Sequence, residues 1–281
     1  MASLAQAGNK LRQWIIDPRS FVVEAIGMDG SPSRTISTQQ EEGLKAYGLL
    51  LNAKIKRHEG ATLTEAEQAV VNKLGISIMS GQGVGKDAFL SWIILHFNFC
   101  LYMSTVLATA PAGPQLKIVL WAEIYKWLSH SHLKDDLVHQ ADVIFHKDYG
   151  RKKWFVVPRT IKDSADPKSQ AETLAGLHED YLLYACDEAS GIPDPVFGPI
   201  EGSMTGFCNF AIIIFNPTRS TGYAIETQGK RRDEWICLHW SSEESELVPK
   251  EVLERDKRNY GEDSNYYRVR RKGLPPHADP D

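Results

Sequence analysis

Lys86 stands next to last in the stretch Ser80-Gly81-Gln82-Gly83-Val84-Gly85-Lys86-Asp87, which follows a short β-prone segment and opens a long apolar run. A glycine-rich turn between a strand and a helix, with a lysine at the helix start, has the composition of a phosphate cradle. Successive backbone N–H groups face the anion, glycines permit close approach, the helix N-terminus adds partial positive charge, and the ammonium neutralises β- and γ-oxygens. Two positions depart from the usual pattern G-x-x-x-x-G-K-[ST]. Ser80 stands at the first glycine, and Asp87 stands where a hydroxyl residue ordinarily holds Mg²⁺. The expected ATP-binding residues are Ser80, Gly81, Gln82, Gly83, Val84, Gly85, Lys86 and Asp87. The Asp87 carboxylate suits the helix N-terminus when the site is empty but opposes phosphate; ligating Mg²⁺ itself would offset part of that repulsion.

About 100 residues downstream, the apolar run 181–186 ends in Asp187-Glu188. A strand that carries an acid to its exposed carboxyl end can hold Mg²⁺ there, and the next acid can polarise an attacking water. Asp187 is therefore the expected metal ligand and Glu188 the expected base. By itself an apolar run followed by two acids is also how any strand ends in a polar turn; the upstream glycine-rich loop is what gives the pair its meaning. The run 212–215 ends in Asn216-Pro217-Thr218-Arg219. Asn216 can sense a γ-phosphate and Arg219 can reach one, although the same letters also describe a plain Asn-Pro turn beside a solvated arginine. Ala108-Thr109-Ala110-Pro111, with Gln115 beyond, ends another strand-like run, either as a contact to a phosphodiester backbone or as a simple turn.

These residues need a sheet to hold them. Apolar runs at 76–79, 106–108, 154–157, 181–186, 211–215 and 235–240 are bounded by turns and separated by helical segments such as 115–128. Near-continuous apolar character marks strands buried on both faces. Alternation with helices predicts an α/β fold with a mostly parallel sheet covered on both sides, its ligand at the carboxyl ends of the strands. A helical lead-in breaks at Asp17-Pro18, and residues 28–37 form a turn-rich connector. A helix starts near Thr38 with Glu41 as capping-box partner, and a second follows Thr62-Leu63-Thr64-Glu65 to about Lys73. The expected division is a helical lead-in over 1–37, an ATPase core over 38–240, and a charged C-terminal segment over 241–281, helical around 249–260 and then linker-like.

Composition narrows the function classes. A formal net charge of −4 excludes a surface coated with nucleic-acid-binding charge, leaving local basic segments at 147–153, 230–232 and 268–272 as either a DNA track or a solvated face. The four cysteines lack C-x-x-C spacing, and three lie in apolar runs, which predicts buried reduced thiols and a cytosolic compartment. The longest apolar stretch, 89–103, is interrupted by Ser91, His96 and Asn98 and falls short of the ~20 residues a membrane span needs. The run at 14–16 is too short for a secretory signal. The nine histidines show no metal-ligand spacing.

The order of these motifs resembles the ATPase domain of the large terminase subunit, the packaging motor of tailed bacteriophages. The likeness runs through SGQGVGKDA, ATAPAGPQ, ETLAGLHEDYLLYACDEASGI and FNPTRSTGY, then continues into SSEESELVPKEVLERDKRNYGEDSNYYRVRRKGLPP. It implies a P-loop NTPase of the RecA/ASCE type with small helical segments at both ends. Lys86, Asp187 and Glu188 match that family's phosphate lysine, metal acid and catalytic glutamate, and Asn216-Pro217-Thr218 matches its coupling motif. Gln40, with Gln39 as alternative, matches a glutamine that contacts adenine. The resemblance also implies double-stranded DNA, a portal protein and a small terminase subunit as partners, a homo-oligomeric ring on the procapsid, and the host cell cytoplasm as location. Family members carry a C-terminal nuclease domain, and this chain stops where it would start, so no DNA cutting is expected. No arginine lies inside the phosphate loop, which leaves Arg151, Arg159 and Arg219 as candidate arginine fingers. Two alternatives to the motor remain at this level: a nucleotide-binding assembly module whose turnover Asp87 impairs, and a helicase-like translocase.

Overall fold

All six expected apolar runs become strands of one sheet. The computed structural model describes residues 4–31, 34–161 and 179–277, and the first part of the family-like stretch before Asp187, residues 172–178, lies outside them. The sheet has the order β3-β4-β5-β2-β6-β7-β1-β8. Strands β1 (Gly75–Ser80), β2 (Thr105–Thr109), β5 (Phe155–Pro158), β6 (Tyr181–Cys186), β7 (Cys208–Phe215) and β8 (Trp235–Trp240) pair in parallel. The short strands β3 (Leu137–His139) and β4 (Ile144–His146) add an antiparallel edge.

Helices α1 (Leu4–Ile16), α2 (Pro18–Phe21), α3 (Thr38–His58) and α4 (Glu65–Val70) precede β1, and α5 (Lys86–Cys100) follows it. Helices α6 (Gly113–Gln115) and α7 (Trp121–His130) follow β2, α8 (Phe197–Ser203) follows β6, and α9 (Tyr223–Gln228) follows β7. Helix α10 (Lys250–Tyr260) and the short α11 (Asn265–Tyr267) come after β8.

Side-chain alternation along the strands splits the core between two faces. Ile76, Ile78, Leu183, Ala185, Ile212 and Ile214 pack with α3, α5 and α7 residues such as Tyr47, Phe89, Ile93 and Ile124. Met79, Leu182, Tyr184, Ile213 and Phe215 pack with Phe197, Ile200, Tyr223 and Ala224 on the other face. Helix α5 is buried almost all round, as its unbroken apolar sequence requires.

Three local expectations change. The first turn of α3 is capped by Ser37, not Thr38, and the capping box closes on Gln40 rather than Glu41; Glu41 instead meets Arg19 at 3.0 Å. Strand β7 starts at Cys208, three residues before Ala211, because the polar Asn209 pairs with Leu182 inside the sheet. Strands β3 and β4 had no signal in the sequence: each is a three-residue piece whose pairing comes from the hairpin, closed by Gln140 N–H to the Val143 carbonyl at 2.9 Å.

His96 ties the lead-in to the core. Its Nε2–H donates to the Trp14 carbonyl at 2.8 Å, so Nδ1 accepts from the Tyr47 hydroxyl, also at 2.8 Å. Complete burial pulls the imidazole down from 6.5 to about 4. The unfolded chain takes up a proton near pH 6.5 that folded His96 refuses until about pH 4. Stability therefore falls as pH drops through that window, by up to roughly 3 kcal/mol. In urea titrations across the window His96→Gln should flatten this slope; an equally steep decline in the variant would contradict the assignment.

Candidate functional site

The carboxyl ends of β1, β6 and β7 lie side by side in the order β6-β7-β1, and each releases one part of the site. Strand β1 passes into the glycine loop, whose Gly83 and Gly85 take φ of +82° and +75°. Gly85 is the residue before α5 and sits against Gln40, so a side chain there would meet both backbone strain and the Gln40 amide. The loop delivers Lys86, 8% exposed, to the sheet edge.

Lys86 Nζ pairs with Glu188 Oε1 and donates to Asn216 Oδ1 at 3.1 Å. Burial alone would lower the lysine; the carboxylates of Glu188, Asp187 and Asp87 outweigh it and hold the ammonium above its ordinary value. Asn216 completes the link, since its Nδ2 donates to the Ser80 carbonyl at 2.6 Å. One asparagine thereby joins the end of β7 to the end of β1 and to the lysine between.

Asp187 is 1% exposed, with its N–H on the Thr109 carbonyl of β2 at 2.9 Å. Its Oδ1 accepts the Glu188 N–H at 2.9 Å, while Oδ2 is buried with no partner among the described residues. Burial and the nearby Asp87 charge push its carboxyl up to about 7 against the pull of Lys86. Asp87 is raised as well, first by burial, with Glu188 and Glu123 adding to it and Lys86 opposing. Such a site suits a small hard cation, because Mg²⁺ is held by one or two carboxylates plus phosphate oxygens rather than by a full protein cage. The unpartnered Asp187 Oδ2 is the observation that fits it, and Asp87 is the second oxygen donor within electrostatic reach.

Glu188 adopts φ +47°, a left-handed conformation uncommon outside glycine. Strain of this kind, on the order of 1–3 kcal/mol, is held in place only where surrounding contacts over-determine it. Here those contacts are the Asp187 carboxylate below and the Lys86 ammonium in front.

The remaining expected residues fall as follows. Gln40 is buried, with Oε1 on the Ser37 N–H at 3.0 Å and Nε2 donating to the Gly85 carbonyl at 2.9 Å, so it braces the loop from outside. Gln39 donates to the Ser241 carbonyl at 2.8 Å. Arg219 is exposed just past Thr218 and has no ion-pair partner among the described residues. Arg159 is exposed at the carboxyl end of β5, its carbonyl accepting from Thr109 Oγ1 at 2.7 Å. Arg151 pairs with Asp142 at 2.5 Å in the segment leading into β5, at the opposite end of the sheet from the loop.

Three contributors had no sequence signal. Ser190 Oγ donates to the Asn216 carbonyl at 2.7 Å and lies 3.3 Å from Thr218 Oγ1, tying the acid pair to the Asn-Pro-Thr turn. Ser242 Oγ donates to the Gln82 carbonyl at 2.7 Å, and Arg270 reaches Gln82 Oε1 at 3.4 Å. Only the position of Ser190, two residues after Glu188, could have suggested a role. Each basic segment is partly paired within the chain: Lys147 pairs with Asp136, Lys230 with Glu226, Arg231 with Glu201 and Arg271 with Asp256. Arg271 is thus a buried structural residue rather than part of an open basic face.

This strand order and loop position define a P-loop NTPase-like fold, and the solved structures it resembles include large terminases of several bacteriophages. The large terminase of a thermophilic bacteriophage matches with a TM-score of 0.58 and 14% identity over 85% of this chain and 53% of that one; that protein has been solved with ADP and with ATP-gamma-S. The large terminase ATPase domain of Thermus phage P74-26 matches with a TM-score of 0.53 and 15% identity, over 79% of this chain and 97% of that one. In sequence, the chain is 28% identical over 218 residues to a probable terminase large subunit of Enterobacteria phage P7. The match takes in 71% of this chain and spans 42% of that protein's length. No protein-family model matches the chain. The likeness to the large terminase ATPase domain therefore stands in sequence and in fold. Among the described residues no helix is long and apolar enough to cross a membrane.

Replacing Asn216 by Leu should cost roughly 2–3 kcal/mol, since it strands the Ser80 carbonyl and one side of a buried ammonium. Urea unfolding measures this; a variant as stable as the parent would mean the three strand ends are not joined through Asn216.

Proposed function

We propose that this chain is the ATP-hydrolysing motor domain of a large terminase subunit, driving double-stranded DNA into a procapsid. The observation that carries the proposal is the junction of Lys86, Glu188 and Asn216 at three adjacent strand ends, with an unsatisfied Asp187 oxygen beside it. A triphosphate entering the loop competes with Glu188 for Lys86. Glu188, released from its ion pair, is then the carboxylate placed to accept the proton of the attacking water. Asp187, with Asp87, would hold Mg²⁺, which when bound neutralises charge on the β- and γ-phosphoryl oxygens. Asn216 loses one of its two links when Lys86 turns to phosphate, and the change passes through Ser190 and Thr218 to the turn bearing Arg219.

Arg159 and Arg219 stand exposed at the same end of the sheet as the loop, which favours either as an arginine finger acting across a ring of subunits. The remaining parts of the proposal rest on the resemblance to the large terminase family alone: the portal protein and the small terminase subunit as partners, the procapsid-docked ring, and the host cytoplasm. A second reading, a nucleotide-binding assembly module, is favoured by one feature: Asp87 adds a further carboxylate to a site that already holds Asp187 and Glu188.

Glu188→Gln should cut phosphate release from ATP by roughly 10²–10⁴-fold while retaining ATP-gamma-S binding; undiminished turnover would contradict its role as base. The same assay on Asp87→Thr separates the two readings. Turnover by both the parent and the Thr variant supports the motor, whereas turnover by the Thr variant alone supports the assembly module.

A further inference from the structure

The segment after β8 does not simply leave the nucleotide site. It returns through α10 and α11, and the turn Arg268–Lys272 lies directly on the phosphate loop. Gln82 N–H donates to the Arg270 carbonyl at 2.8 Å, and the Gln82 carbonyl accepts from Ser242 Oγ at 2.7 Å. Both polar groups of one loop residue are thus held by residues more than 150 positions away in the chain. Ser242 N–H in turn donates to the Arg271 carbonyl at 2.8 Å, which fixes the serine against the same turn.

The backbones touch. A Cβ on Gly81 would lie 2.3 Å from Ser242 Oγ and 2.6 Å from the Arg271 carbonyl oxygen; one on Gly273 would lie 2.5 Å from Gly81 N. Neither position accepts a side chain without separating the loop from the turn, which gives the second residue of the loop a reason to be glycine that phosphate binding does not supply.

What holds the turn down is an ion pair out of solvent. Arg271 Nε and Nη2 both reach Asp256 Oδ2 at 2.7 Å, with Asp256 1% and Arg271 9% exposed. Burial would raise the Asp256 carboxyl, but Arg271 and Arg255 hold it below its ordinary range. Removing one partner of such a pair leaves an uncompensated buried charge, so the anchor fails as a unit.

We infer that Ser242 and the Asp256–Arg271 pair are positioning residues for the phosphate loop, through which the C-terminal segment sets nucleotide affinity. The inference rests on the nucleotide-site reading above. A loop whose Gln82 peptide is clamped on both sides presents its N–H groups to phosphate without first ordering them, and pre-organisation of this kind acts on binding. Because ground state and transition state use the same loop contacts, losing the clamp should raise KM and leave kcat nearly unchanged.

The test uses the full chain, with ATP-gamma-S binding by calorimetry, steady-state ATP turnover, and hydrogen exchange of the loop peptide in the parent, Ser242→Ala and Asp256→Asn. Ser242→Ala and Asp256→Asn should each weaken ATP-gamma-S binding about tenfold, the order of one lost hydrogen bond. KM should rise with kcat held, and protection should be lost at Gln82 while the β1 and β7 amides keep theirs. Unchanged affinity and unchanged Gln82 protection in both variants would overturn the inference. A parent that binds no ATP-gamma-S would sink the nucleotide-site reading instead, and the exchange of Gln82 would still decide whether Ser242 clamps the loop. Should Ser242→Ala not fold, Asp256→Asn decides by the same readouts.

Discussion

A buried ammonium governs this structure. Lys86 is taken out of water at the start of α5, a move that costs several kcal/mol unless opposite charge and hydrogen-bond acceptors meet it. Glu188 and Asn216 meet it, and both come from other strands. The requirement therefore reaches into the sheet: β6, β7 and β1 must be neighbours with their carboxyl ends close together. In their register β6 stops two residues early, Cys186 opposite Ile213, while Met79 lies opposite Phe215 at the end of β7; Glu188, two residues past Cys186, makes up the difference. Apolar packing on both faces supplies the driving force for the sheet, and the charge cluster at its edge specifies which strands end together.

The same cluster explains why the site is poised to act. Four ionisable groups, Lys86, Asp87, Asp187 and Glu188, share a small region, and three of them are acids. Burial, with the neighbouring acid charges, drives Asp87 and Asp187 up against the pull of the one ammonium, and Asp187 keeps an oxygen with no donor among the described residues. A divalent cation and a polyphosphate brought in together change both sides of that balance at once. The left-handed Glu188 and the doubly bonded Asn216 lie where such a change would be felt first. On the far side of the loop the C-terminal turn holds Gln82, so the glycine-rich loop is gripped between the sheet and the turn at Arg268–Lys272.

Much of this was legible in the sequence because the signals are local. A glycine-rich turn ending in lysine, an apolar run ending in Asp187-Glu188, and a run ending in Asn216 each name their own strand end, and the alternation of runs with helices names the parallel sheet. Asp17-Pro18 marked the break after α1 for the same reason, through proline geometry. What was hidden depends on distant pairing. The choice of Gln40 over Glu41 as capping partner follows from the N-cap of α3 falling at Ser37 and from the nearby Gly85 carbonyl, which Gln40 also bonds. Ser242 and Asp256 are ordinary residues in a charged stretch, and only the folded return of the chain brings them to the loop. Arg271 read as one of a basic run, yet its charge is spent inside the protein.

The central claim is that Lys86 exchanges Glu188 for a nucleotide phosphate and that the freed acid then promotes hydrolysis. Phosphate release from ATP by the unaltered chain, measured with Mg²⁺ and with the cation chelated, tests it most directly. Turnover that requires Mg²⁺ is the predicted result. Tight binding of ATP with no phosphate release at any Mg²⁺ concentration would contradict it.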